Sequence, residues 1–344
     1  MTASTGFSAI VGQSQAIRLL KTLLRNGKLP HALLFTGDDG VGKKTTATAF
    51  AMACNCLTLK AGLDRRPHLD VIDACGDCAP CRKIAGKHHA DVIHIAPQSS
   101  MIRIDRIRSL LETLSFKPNE AQQRVVIISD AHAMNPEAGN ALLKVLEEPP
   151  ARTILVLTTR QPSDLLPTVV SRCRQIRFMP LAATDVNRLL NETDGGDAQS
   201  MEIAAALCGG SYTRARRLLD KRWLSRREWI IKVLTHRMAG GGESDIRAWL
   251  AFAEMMSRKK DLIEESLEFI TMWLRDVLVA GYDPTRILNR DHREALSKTA
   301  DRIGRRQLLE QMDAVDGAAT ALRSNANVRL TLDAMVLRMA GTLK

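Results

Sequence analysis

Long apolar runs are missing from this 344-residue chain, and no stretch approaches the roughly 18 consecutive apolar residues of a membrane span. Met1 to Phe7 lacks the basic and apolar regions of a signal peptide, so a cytoplasmic location is expected. Tandem repeats and low-complexity tracts are absent. Acidic residues are in deficit: 38 Asp and Glu face 49 Lys and Arg, a net charge of +11. The imbalance is steepest in residues 1–180, where 23 basic residues face 15 acidic ones. Such a surplus favours phosphate-bearing partners without naming one. No recognition motif accompanies it, so direct sequence readout of DNA is not expected. What remains is ordinary globular composition, 45% apolar and 25% charged, in a chain long enough for two or three domains.

Strand-like and helix-like segments alternate up to about Pro180. Leu33-Leu34-Phe35 runs into a glycine-rich turn, and a helix-forming stretch, Thr45 to Ala53, follows. Arg124-Val125-Val126-Ile127-Ile128 and Ile154-Leu155-Val156-Leu157 are apolar on both faces, as strands inside a parallel sheet are, and Ile176-Arg177-Phe178 is a shorter candidate. A doubly wound α/β core is expected. Asn135-Pro136 reads as an N-cap with proline at the first helical position, and Pro149-Pro150 stops that helix. After Pro180 the strand signals vanish, and all four tryptophans (Trp223, Trp229, Trp249, Trp273) lie in this helical part. A small bundle should end near Leu219 to Arg222, and a second should run to the C-terminus, with Ala239-Gly240-Gly241-Gly242 as a loop within it.

Gly37-Asp38-Asp39-Gly40-Val41-Gly42-Lys43 sits between a strand and a helix, the context in which backbone N–H groups cradle phosphates and a lysine reaches the β and γ positions. The next position breaks the pattern. A working loop places Ser or Thr there to hold Mg²⁺, and this chain has Lys44, with Thr45 one place late and about 100° further round the helix. The second acidic element is altered too. The strand Val125 to Ile128 ends in Ser129-Asp130 rather than in an Asp for the metal followed by a Glu for the attacking water. Asp38 and Asp39 add negative charge beside the phosphate site, which argues against tight ATP binding, and the altered metal position argues against Mg²⁺.

Cys75-x2-Cys78-x2-Cys81 is preceded by Cys56 and Cys54. Four thiolates suit a structural Zn²⁺ with no open coordination position. Cys75, Cys78 and Cys81 are the core of that set, with Cys56 as the fourth ligand and Cys54 as the alternative. Cys173 and Cys208 stand alone and read as small buried side chains.

In one order, Phe7-Ser8-Ala9-Ile10-Val11-Gly12-Gln13, His31-Ala32-Leu33-Leu34-Phe35, the phosphate loop, the cysteine cluster, Asn140-Ala141-Leu142-Leu143-Lys144 to Glu147-Glu148-Pro149-Pro150, and Ser171-Arg172-Cys173 resemble the bacterial DNA polymerase III clamp-loader subunits of the AAA+ class. The likeness is close from residue 5 to about 180, and thins to Gly210-Ser211 and Arg214-Ala215 beyond. Within that family the missing lysine-threonine and Asp-Glu pairs make the chain look like the delta prime stator rather than the tau/gamma motors. The resemblance implies a RecA-like core over 1–179 with a zinc module at about 54–90, a helical lid over 180–222 and a helical collar over 223–344. It implies a pentamer with tau/gamma and delta subunits that loads a sliding clamp onto primed DNA. By position, Ile10, Val11 and Gly12 would line the adenine side. Thr158 (or Thr159) and Arg214 would be sensors, and Arg172 would be an arginine finger for a neighbour's γ-phosphate. An active motor of the same complex, using Thr45 and Asp130, and an unrelated AAA+ remodeller are the competing readings.

Overall fold

A computed structural model describes residues 6–65, 71–98, 100–195, 197–239, 246–324 and 326–342. The glycine run Gly240-Gly241-Gly242 lies outside the described residues. The chain divides into two compact units, Met1–Leu189 with Gly209–Thr213, and Leu190–Cys208 with Arg214–Lys344.

In the first unit, α1 (Ser14–Arg25) leads to β1 (Ala32–Thr36), α2 (Lys43–Asn55), α3 (Leu57–Arg65) and α4 (Ala79–Ala85). There follow β2 (Val92–Ile95), α5 (Ile104–Leu114), β3 (Arg124–Ile128), α6 (Pro136–Glu147), β4 (Thr153–Thr159), α7 (Pro167–Val170), β5 (Arg174–Arg177) and the greater part of α8 (Ala183–Thr193). The five strands form one sheet in the order β2-β3-β4-β1-β5, every pair parallel. Because side chains alternate across a strand, its residues feed two cores. Leu33, Phe35, Val125, Ile127, Val156 and Ile176 face α1, α2 and the cysteine segment. Leu34, Val126, Ile128, Leu155 and Leu157 pack with α5, α6 and α7. The fold is therefore a parallel α/β sheet with a helical layer on each face. The helix expected from Thr45 to Ala53 begins earlier, at Lys43, with Gly42 in the left-handed region as its N-cap (φ 100°). Asn135 caps α6 by accepting from the Ala138 N–H at 3.1 Å.

One carboxylate secures the entry to β3. Asp91, 2% exposed, accepts from the backbone N–H groups of Asn119, Glu120 and Ala121 at 2.8, 2.8 and 2.9 Å, and stands 3.5 Å from the Arg124 guanidinium. Arg124 in turn donates to the carbonyls of Thr113, Phe116 and Lys117. Burial opposes ionisation of Asp91, but the three N–H donors and Arg124 hold its carboxyl below the usual value.

The second unit holds, among its described residues, α9 (Ala198–Leu207), most of α10 (Tyr212–Leu218), α11 (Lys221–Ala239), α12 (Ile246–Ser257), α13 (Ile263–Ala280), α14 (Arg293–Ala300), α15 (Arg305–Arg323) and α16 (Val328–Met339). The break between α10 and α11 falls at residues 219–220. Trp223 packs edge-on against Phe269 (centroids 4.7 Å apart), and Trp273 is fully buried. Arg227, 2% exposed, donates to Asn289 and to both oxygens of Asp291, while buried Asp276 accepts from the N–H groups of Leu288 and Asn289. These bonds clamp the 284–292 segment to the helices.

Since the folded pKa of Asp91 is depressed, its contribution is present above the unfolded carboxylate value and is lost as pH falls towards the folded one. Asp91→Asn should cost about 3 kcal/mol at neutral pH, because it also leaves Arg124 buried without its anion. Urea unfolding across pH should show wild type and variant converging below about pH 4. A constant difference down to pH 2 would refute the assignment.

Candidate functional site

The phosphate-type loop occupies the carboxyl end of β1, between β4 and β5, with the end of β3 one strand further on. Gly37 donates its N–H to Arg160 O at 2.8 Å, which fastens the loop to the end of β4. Gly40 has no room for a side chain: a Cβ would lie 2.5 Å from Ser211 Oγ and 2.8 Å from Thr213 N, and its carbonyl accepts from Tyr212 N at 3.1 Å. Gly42 is the opposite case, with a left-handed φ and nothing within 4 Å of a notional Cβ. The backbone thus closes the loop at Gly40 against residues 211–213, and leaves space at Gly42, where α2 begins.

Lys43 is buried and turned into the loop. Its ammonium donates to the carbonyls of Gly37 and Asp38 and lies 3.7 Å from Asp39. Burial lowers its pKa against the pull of Asp39, Asp130 and Asp38. Asp39, expected to repel phosphate, is itself paired: Arg160 reaches it at 2.6 Å. Burial works against the Asp39 carboxylate, yet Arg160 and Lys43 hold its pKa below the usual value. Arg160 is a site residue the sequence reading missed. Only its position, directly after Thr158-Thr159 at the end of a buried strand, could have marked it.

Lys44 points across to the end of β3, and its ammonium lies 2.7 Å from the Asp130 carboxylate. Asp130 has a left-handed backbone (φ 53°), and its N–H donates to Thr158 Oγ1 at 3.0 Å. Ser129 beside it is 8% exposed, and Thr45 is exposed. The structure therefore joins Lys43, Lys44, Asp130 and Thr158 in one place, together with Gly37, Gly40 and Gly42. A magnesium ion does not fit there. It needs near-octahedral oxygen donors, yet the hydroxyl position is an ammonium, the first carboxylate is a serine, and the remaining carboxylate already carries Lys44.

Ile10 and Val11 are half-buried, and Ile10 packs against the core that contains α1 and α2. A Cβ on Gly12 would meet Leu181 Cδ2 at 2.5 Å. Gln13, also missed, fixes this segment: its amide donates to Val41 O (3.1 Å) and Met179 O (2.7 Å) and accepts from Met179 N (3.0 Å). Arg172 follows α7, and its guanidinium bridges Glu147 at 2.7 Å and the Thr168 carbonyl at 3.0 Å. Arg214 belongs to the second unit, where it pairs with Glu268 at 2.7 Å.

The thiol atoms of Cys56, Cys75, Cys78 and Cys81 all lie within 4.8 Å of one another. Cys56 ends α2, Cys75 comes from the loop before α4, Cys78 caps α4 and Cys81 lies within it. The N–H groups of Leu59 and Cys75 point at Cys56 Sγ (3.4 and 3.3 Å), and that of Cys78 at Cys75 Sγ (3.4 Å). Such donors favour thiolate. A hydrogen bond from Cys81 and those backbone groups pull the Cys56 thiol below its usual value, whereas the same shared bond pushes Cys81 up. Burial instead raises the Cys54 thiol, and Cys54 stands outside the cluster. The four sulfurs could hold a tetrahedral ion such as zinc. His89, near in sequence, instead accepts from Asp91 N. Cys173 and Cys208 are buried thiols outside any disulfide, and Cys208 Sγ donates to Ala205 O at 3.3 Å.

The model for the family described as "DNA polymerase III, delta subunit" matches residues 12–182, and that described as "DNA polymerase III, delta subunit, C terminal" matches residues 223–340. The chain is 28% identical to the DNA polymerase III subunit delta' of Bacillus subtilis over 331 residues, 95% of this chain and 96% of that one. It is 37% identical to the delta' subunit of Pseudomonas aeruginosa over 191 residues, 55% of each chain. It is 30% identical to the tau subunit of Bacillus subtilis over 287 residues, 82% of this chain but 48% of that one. The chain thus spans about half the length of that tau subunit and nearly all of the first delta' subunit.

Protein purified without added metal should carry about one equivalent of zinc by elemental analysis. Cys78→Ser should release it and lower the Tm, while Cys54→Ser should leave both unchanged. Full zinc occupancy in a Cys75/Cys78/Cys81 triple serine variant would show that the metal is held elsewhere.

Proposed function

The chain belongs to the clamp-loader subunits of DNA polymerase III, and we propose that among them it is a delta prime-like stator that does not turn over ATP itself. The observation that carries this reading is the Lys44–Asp130 ion pair at 2.7 Å. It occupies the place where a motor subunit needs a metal to neutralise charge on the β- and γ-phosphates. Near end-to-end coverage of a delta' relative supports the same assignment.

In this reading residues 1–179 are the core, 180–222 the lid and 223–344 the collar that joins tau/gamma and delta subunits in a hetero-oligomer. The assembly acts on a sliding clamp and primed DNA. Zinc in the four-cysteine cluster is structural, since a closed tetrahedral thiolate site offers no position for substrate. Arg172 is the finger offered to a neighbour's γ-phosphate. Its place after α7, with about a third of its side chain exposed, allows a neighbouring chain to reach it. The adenine-side residues Ile10, Val11 and Gly12 and the sensors Thr158 and Arg214 keep the family's positions without a hydrolysing centre to serve.

The isolated chain should show no ATP hydrolysis above the level that survives Lys43→Ala. In a complex reconstituted with tau/gamma, delta, clamp and primed DNA, Arg172→Ala should assemble normally, keep its zinc and lower DNA-stimulated turnover. The loss should be partial, because one of several ATP sites would lack an arginine that can be worth about 10³-fold in rate. Arg172→Lys should not rescue it, since a point charge lacks the planar fork. Wild-type turnover in a fully assembled Arg172→Ala complex would remove the finger role. Robust turnover by the isolated chain would favour the motor reading.

A further inference from the structure

Two departures from the phosphate-loop pattern, Lys44 and Asp130, 86 positions apart in sequence, meet in one ion pair. The hydroxyl that should hold the metal is Lys44, and the carboxylate that should hold it is Ser129. Each change alone would unbalance the charge. With a hydroxyl and two carboxylates, a bound divalent ion brings the metal position to neutrality. Here one ammonium and one carboxylate, Lys44 and Asp130, reach neutrality without any ion. The outer phosphates of a nucleotide would meet the same net charge, carried by protein atoms.

We propose that the Lys44 ammonium replaces the magnesium ion, so that this loop binds a nucleoside triphosphate without metal. The inference rests on reading residues 37–43 as a phosphate loop and reaches beyond the absence of hydrolysis. Lys44 stands on the first turn of α2, one residue from the lysine that addresses the β and γ positions. Its side chain is 55% exposed, so phosphate oxygens can reach the ammonium while Asp130 orients it. The loop carboxylate nearest Lys43 does not oppose this, because Asp39 is neutralised by Arg160 at 2.6 Å. Nothing lies within 4 Å of a notional Cβ on Gly42, the N-cap of α2. A divalent ion added to this arrangement would have to displace Lys44 from Asp130, or sit beside an ammonium with one shared carboxylate.

A lysine also differs from the ion in chemistry. It supplies a fixed single charge and three donors but no Lewis acid, so it can hold the triphosphate without polarising it for attack. Binding and turnover are thereby separated in the same pocket.

The test is calorimetric titration of the full-length chain with ATP, in excess Mg²⁺ and in EDTA. Wild type should bind with affinities that agree within about two-fold in the two conditions. Lys44→Met should weaken binding at least about ten-fold in both, and the exposed position of Lys44 leaves the fold undisturbed. Lys44→Thr combined with Ser129→Asp should rebuild the metal position, so that affinity in Mg²⁺ exceeds that in EDTA at least about ten-fold. Zinc content and Tm should match wild type in every variant, which verifies the fold. A wild-type affinity that rises ten-fold or more with Mg²⁺ overturns the proposal. So does the absence of saturable ATP binding in either condition. In that second case normal assembly with tau/gamma and delta would leave the stator reading standing, whereas failure to assemble would remove both.

Discussion

A parallel sheet covered on both faces offers solvent only the ends of its strands, and in this protein the chemistry is confined there by that constraint. Leu33 to Phe35, Val125 to Ile128 and Ile154 to Leu157 are fully buried, so none of them can carry a functional side chain. The adjacency of β3, β4 and β1 then puts three carboxyl ends side by side. The glycine loop, Ser129-Asp130 and Thr158 to Arg160 converge because their strands do. A shift in strand order would scatter the same residues, however well each local motif was formed.

The sequence reveals what depends on burial and on backbone punctuation. The three central strands are readable because their runs are apolar at every position, and Asn135-Pro136 and Pro149-Pro150 bracket α6 closely. β2 escapes notice, since Val92–Ile95 is four residues long, half-buried and interrupted by His94. Contacts set by tertiary folding leave no such trace. Lys44 and Asp130 are 86 residues apart, and Glu147 bears no mark as the partner of Arg172. Gln13 and Arg160 read as ordinary polar residues until the chain brings them to Val41, Met179 and Asp39. Spacing alone left Cys54 and Cys56 as alternatives. Helix geometry separates them, because Cys56 ends α2 facing the cluster while Cys54 is turned aside.

The cysteine cluster is tied into the core rather than hung from it. Cys56 and Cys81 belong to the same buried cluster as Phe50, Val125 and Ile127. Asp73, two residues before Cys75, accepts from the N–H groups of Phe7 and Ser8 at 2.7 and 2.9 Å. Those residues open the segment that carries Ile10 to Gly12. An ion among the four sulfurs would therefore brace, through Asp73, the strip of chain that borders the phosphate loop.

The bond between Arg172 and Glu147 has a thermodynamic side. Both groups face solvent, so the pair adds little to stability, about 0–1 kcal/mol. Its larger effect is on side-chain entropy. A free arginine loses about 2 kcal/mol of rotamer freedom when it is immobilised. In this chain the guanidinium is already oriented by Glu147 and the Thr168 carbonyl. An anion that takes the place of Glu147 would inherit an ordered fork, and the exchange would involve one anionic partner for another rather than the ordering of a loose side chain.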